Sequence, residues 1–108
     1  MPLVKIFARS RLVNIPLEPL QKALCGIWGT TPATTKLMRF PVDDWTNEQF
    51  DEDCYVDVRA KATPERTRAV VLDGMAKVQA AFKQHGLSAN VRVETYEGAN
   101  YFHLPPKS

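Results

Sequence analysis

The chain uses one plan twice, and that repetition restricts its fold more than any other feature. An offset of about 52 positions lays Val4 on Val56, Ile6 on Val58, Ala8 on Ala60 and Arg9 on Lys61. Residues 3–8 are apolar except at Lys5, the pattern of a strand covered on both faces. Residues 54–61 alternate, with Cys54, Val56, Val58 and Ala60 on one face and Tyr55, Asp57, Arg59 and Lys61 on the other. Behind the first strand, Leu17, Leu20, Leu24 and Ile27 recur at helical spacing over residues 16–28, with Pro16 and Pro19 tolerated in the first turn and Gly29 as the stop. Behind the third strand, Thr63-Pro64-Glu65 supplies an N-cap, a first-turn proline and an acid. That helix is predicted to run to about His85, with Val71, Met75, Val78 and Phe82 inward and Gly86 just past its end. Strands are expected near 35–41 and at 90–96, with a short fifth at Tyr101-Phe102-His103. The expected fold is α+β: two consecutive β-α-β units, at 2–42 and 54–96, forming a four-stranded sheet with two helices on one face in a single domain over 1–108. The second sheet face, with an apolar row such as Cys54, Val56, Val58 and Ala60, then needs cover, and identical subunits are the economical source.

With 108 residues, 44% of them hydrophobic, the chain can bury its own core without staples. Cys25 and Cys54 lie far apart, and His85 and His103 join them in no ligand spacing. Neither a structural zinc nor a disulfide framework is expected, and no cofactor is implied. Lys5, Arg9 and Arg11 interrupt the opening apolar run, which is neither a secretory signal nor a membrane span, so the default compartment is the cytoplasm. Net charge is +2 but uneven: residues 41–53 hold Asp43, Asp44, Glu48, Asp51, Glu52 and Asp53, half of the 12 acids, with no Lys or Arg. The remainder is basic and suited to small anions. A nucleic-acid partner is disfavoured, because the third strand lacks a run of aromatics interleaved with basic residues.

Pro2 stands at the head of the first strand. As a strand opener it needs no ladder donor, which is the ordinary use of proline there. If Met1 is removed, Pro2 becomes a secondary amine. An α-amino group titrates near pH 8, roughly, and apolar or cationic surroundings lower that value, which makes the nitrogen a general base at neutral pH.

The opening Pro2, the doubled β-α-β plan and the segment Phe40-Pro41-Val42-Asp43-Asp44-Trp45 leading to Cys54-Tyr55-Val56 together resemble the tautomerase superfamily, the group of 4-oxalocrotonate tautomerase and macrophage migration inhibitory factor. The resemblance spans the chain. It implies a homotrimer, three sheets facing a central barrel, and sites at the subunit boundaries. It also implies a cofactor-independent tautomerase in which Pro2 moves a proton within a small α-keto or 2-hydroxy-unsaturated carboxylic acid, while cations hold the carboxylate and the dienolate. A neighbouring alternative is a hydratase or dehalogenase in which a protonated Pro2 is the acid and Asp57 or Glu94 activates water. A further one is a non-catalytic trimeric binding module.

For the carboxylate the candidate cations are Arg9, Arg11, Lys36, Arg39, Arg59 and Arg92, and arginine offers a planar fork with two parallel donors. Arg39 is the leading candidate, since the 4-oxalocrotonate tautomerase branch carries a substrate-binding arginine in its second strand. Arg11 follows, at the end of the first strand, a place that branch often supplies from a neighbouring subunit. Arg59 is the third, on the polar face beside Asp57, where the plainer account is a weak surface ion pair. The chain departs from the migration inhibitory factor branch at Gly29-Thr30-Thr31-Pro32, where Thr31 replaces a lysine, and at Arg92 and Glu94, where that branch has a tyrosine and an asparagine. Trp45 and Phe50 are candidates for an apolar wall over the proline, although anchoring the acidic loop is the commoner use of such residues. Tyr96, Tyr101 and His103 complete the candidates as proton donors.

Overall fold

A computed structural model describes residues 2–46 and 52–106. Strand β1, Leu3–Ala8, buries Val4, Ile6 and Ala8 and leaves Leu3, Lys5 and Phe7 half-covered on the other side. Helix α1, Leu17–Trp28, buries Leu20, Leu24 and Trp28. It ends where Gly29 turns left-handed at φ 65°, a conformation glycine adopts without a Cβ penalty. A single 3₁₀ turn, Pro32–Thr34, leads into β2, Lys36–Pro41. Strand β3 is Cys54–Lys61, helix α2 is Arg68–Lys83 and strand β4 is Ala89–Tyr96.

The sheet order is β2-β1-β3-β4. Strands β1 and β2 run parallel, as do β3 and β4, while β1 and β3 meet antiparallel with Val4 opposite Val58 and Ile6 opposite Val56. Each parallel pair is joined through one helix, which gives the two consecutive β-α-β units and an α+β fold. The core lies between sheet and helices: Val4, Ile6, Ala8, Cys54, Val56 and Val58 from the strands meet Leu20, Leu24, Val78 and Phe82 from the helices. The row Cys54, Val56, Val58 and Ala60 is therefore covered by this chain's own helices and does not wait for a partner, contrary to expectation. Nor is β1 covered on both faces. Its open side carries Lys5 and Phe7 in register with Asp57 and Tyr55.

Two boundaries differ from the sequence pattern. Thr63-Pro64-Glu65 makes a turn, closed by the Arg66 amide donating to the Thr63 carbonyl at 3.1 Å, and α2 starts four residues later, with the Thr67 hydroxyl accepting from the Val70 amide. The sequence holds two threonine caps, and the one adjoining the apolar face prevails. No strand forms at Tyr101-Phe102-His103: a 3₁₀ turn at Gly98–Asn100 redirects the chain, and Tyr101 stacks on Tyr96 with centroids 4.7 Å apart.

Candidate active site

Pro2 immediately precedes β1, and its ring is fully buried. Its carbonyl accepts the Lys36 amide at 3.2 Å, the first rung joining it to β2. The connection before β2 is tied down by hydroxyls and an amide. Thr35 is 1% exposed, its hydroxyl paired with that of Thr30, and Gln21 Nε2 donates to the Thr35 carbonyl at 2.8 Å and to the Pro32 carbonyl at 3.2 Å. Thr31 bonds Thr34 across the 3₁₀ turn. The proline is thus tied to β2, behind a connection with little freedom.

Register decides which cations reach this end of the sheet. Leu3, next to Pro2, pairs with Lys36 on β2 and with Arg59 on β3, and all three share the open face. Arg59 in turn pairs with Glu94, and the row beyond holds Lys61 and Tyr96. Of the three candidate arginines, Arg59 alone belongs to the proline end of its own chain. Arg39 pairs with Ile6 and so stands on the helix side of the sheet. Its Nη2 donates to the Arg9 carbonyl at 2.9 Å, and its buried Nε meets no acceptor among the described residues. Arg11 lies past β1 in an ion pair with Asp53 at 3.1 Å. Lys36, on the same strand as Arg39 and among the cations the sequence offers for the clamp, reaches the proline end because pairing register sets it beside Leu3.

Asp57 stands one row further from the proline, between Lys5 and Arg92 in register. Among the described residues, no ion pair joins Arg59 to Asp57. Tyr96, Tyr101 and His103 form one aromatic group at the proline end, the last two centroids 6.4 Å apart. Cys54 is unavailable as a nucleophile: burial first, then the neighbouring Asp53 charge, pushes its thiol up to about 11. Cys25 and Cys54 are both free.

Trp45 does not wall the proline. It covers the opposite end of the open face, where it borders a cleft of about 460 Å³ with Phe7, Val42, Tyr55 and Asn90. The Arg9 guanidinium lies 3.4 Å from the Trp45 ring centroid and donates to the Asp43 carbonyl, so the tryptophan does anchor its loop. Phe50 lies outside the described residues.

No family model matches the chain, and no curated protein matches it closely enough to count as a relative. Solved structures do. The macrophage migration inhibitory factor of Toxoplasma gondii is 14% identical, with 94% of this chain and 95% of that one covered at a TM-score of 0.64. A 5-carboxymethyl-2-hydroxymuconate isomerase from Deinococcus radiodurans R1 is 14% identical over 97% and 90%, at 0.66. A member of the cis-3-chloroacrylic acid dehalogenase family is 13% identical over 94% and 79%, at 0.69. The chain shares the fold of these proteins over nearly its whole length.

Proposed function

We propose that this chain is a cofactor-independent tautomerase of small α-keto or 2-hydroxy-unsaturated carboxylic acids, with Pro2 as the amino-terminal general base. One observation carries the reading: a fully buried proline heads the central strand β1, and its neighbour Leu3 is flanked in register by Lys36 and Arg59. Once Met1 is removed, burial and nearby cations both disfavour the charged form of the Pro2 amine and so favour the neutral, basic nitrogen. It takes a proton from one carbon or hydroxyl of the enol acid and returns it to another carbon. Arg59 and Lys36 hold the carboxylate and stabilise the negative charge that develops as the proton leaves. Arg11, exposed beyond β1, is the further candidate for the clamp from an adjacent subunit, whereas Arg39 is turned to the helix side of the sheet and is not. The fold supports a homotrimer, and among the described residues no helix is long and apolar enough to cross a membrane.

A second reading, hydration or dehalogenation with a protonated Pro2, is favoured by one feature only: Glu94, a carboxylate able to activate water, is the register partner of Arg59. Charge removal tests the clamp. Arg59→Ala is expected to weaken binding of a keto-acid ligand by roughly 1.5–3 kcal/mol, the value of a lost charge-assisted hydrogen bond, with the thermal midpoint unchanged. Unaltered affinity in both Arg59→Ala and Lys36→Ala removes the clamp from this end of the sheet.

A further inference from the structure

The tail of the chain carries two large apolar side chains with nothing to cover them. Phe102 and Leu104 are 87% and 94% exposed. They follow the turn at Gly98–Asn100 and the stacking of Tyr101 on Tyr96, which together fix the start of the tail at the proline end of the sheet. The apolar cleft of about 460 Å³ bordered by Phe7, Val42, Trp45 and Tyr55 lies at the other end of the open face. That face is the one the proposed trimer turns toward its other subunits. We infer that Phe102 and Leu104 of one chain seat in this cleft of a second copy. The inference rests on the self-association proposed above and not on the proline chemistry.

Reach excludes the chain's own cleft. Asn90, which lines it, stands six residues before Tyr96 on β4, about 20 Å at the rise of a strand. Phe102 follows Tyr101 directly and Leu104 is three residues on, at most about 11 Å of extended chain. While Tyr101 keeps its stack, neither side chain crosses that distance. In an extended tail Phe102 and Leu104 point to one side, so both can enter the same apolar cleft. The two prolines that follow, Pro105 and Pro106, keep the segment extended and reduce the entropy lost on docking. Charge then selects the receptor. The tail holds His103 and Lys107 and no acid, whereas Glu52 lines the cleft and residues 41–53 carry six acids with no Lys or Arg. The Arg9 guanidinium at that end is engaged by the Trp45 ring and the Asp43 carbonyl. A second groove with apolar walls, Val71, Met75 and Val93 between α2 and β4, is bordered by Arg66 and Arg68, the same sign as the tail. Opposite charge at the cleft under Trp45 draws the tail in, and like charge at the helix groove turns it away.

Nuclear magnetic resonance on mixed assemblies of isotope-labelled and unlabelled full chains tests this, because an isotope filter keeps only contacts between different copies. Cross-relaxation is expected between the Phe102 ring or Leu104 methyls of one copy and the Trp45, Phe7 or Tyr55 rings of another. Phe102→Ser combined with Leu104→Ser should move the Trp45 indole signal, leave that of buried Trp28 in place, and weaken association about tenfold in sedimentation. Pro2→Ala should change none of these. A trimer by sedimentation in which the filtered contacts are missing, or run instead to Val71 and Met75 of α2, would overturn this seating and leave the assembly standing. A monomer would overturn both.

Discussion

Asp53 joins the two halves of the chain with one carboxylate. It accepts from the Ser88 amide at 3.0 Å and hydroxyl at 3.3 Å and from Arg11 at 3.1 Å, while its own amide donates back to Ser88. The Ser88 amide, then Arg11 and the Ser88 hydroxyl, hold its carboxyl below the usual range against the opposing effect of burial. Asp43 is lowered in the same direction, first by the Ser10 amide and hydroxyl and then by Arg9. A depressed folded pKa means stability that is complete above the unfolded value of 3.8 and lost as pH falls through the lower folded values. Thermal melts as a function of pH should therefore fall off below about pH 4. Asp53→Ala should lower stability at neutral pH by about 1 kcal/mol, since the pairing is partly solvated, and should flatten the acid limb. An unchanged acid limb would contradict this role. Residue types were legible in the sequence, and so was the possibility of Pro2 as a base. The alternation of β3 also gave the face of Arg59, but the side taken by Arg39 in the less regular β2 was not legible, because a slip of one position reverses it. Arg39 and Arg59 illustrate the point: both are strand arginines, yet they stand on opposite faces.

At the scale of elements, the alternation in β3 and the apolar periodicity of α1 were enough to place both, because local pattern and tertiary burial agree there. The start of α2 was misplaced at Thr63-Pro64-Glu65, because a good cap and first-turn proline there outweigh, on local pattern alone, the later cap at Thr67. The contact between the helices was invisible in the sequence. Trp28 at the end of α1 lies against Gly74 in α2, where an added Cβ would meet ring carbons at 2.7 and 2.9 Å. A glycine inside a helix reads only as a propensity defect, and nothing in the pattern marks it as the seat of an indole. Gly74→Ala gains about 1 kcal/mol of helix propensity but forces a rigid, buried ring to move, at roughly 1–3 kcal/mol for overpacking. The thermal midpoint should fall. A rise would mean that the helices separate without penalty. Trp45 shows the same limit from the other side: its anchoring role was legible, but the end of the sheet it covers depends on where its loop crosses the open face.

At the scale of the molecule, the sheet edges and the open face, rather than the core row, are the surfaces open to a partner. Strands β2 and β4 are the outer strands of the sheet, each paired on one side in the order β2-β1-β3-β4, and a free edge is a template for another chain. Phe102 and Leu104 are 87% and 94% exposed, large apolar surfaces that a lone chain leaves in water. The open face itself mixes Phe7, Phe40 and Tyr55 with Lys5, Asp57, Arg59 and Arg92, so it suits a solvated channel better than a dry interface. Sedimentation equilibrium at micromolar concentration should give three times the chain mass. A monomer would remove the shared sites and the role given to Arg11. The central claim remains the proline nitrogen, and its most direct test compares two forms of one protein: one whose intact mass shows Pro2 as the first residue, and one carrying extra residues ahead of Pro2. With a 2-hydroxydienoate as substrate, the first should ketonise it faster than buffer does, with a rate that rises with pH through the amine pKa and then levels. The second, whose Pro2 nitrogen is an amide, should show only the buffer rate, and equal activity in the two forms would contradict the account.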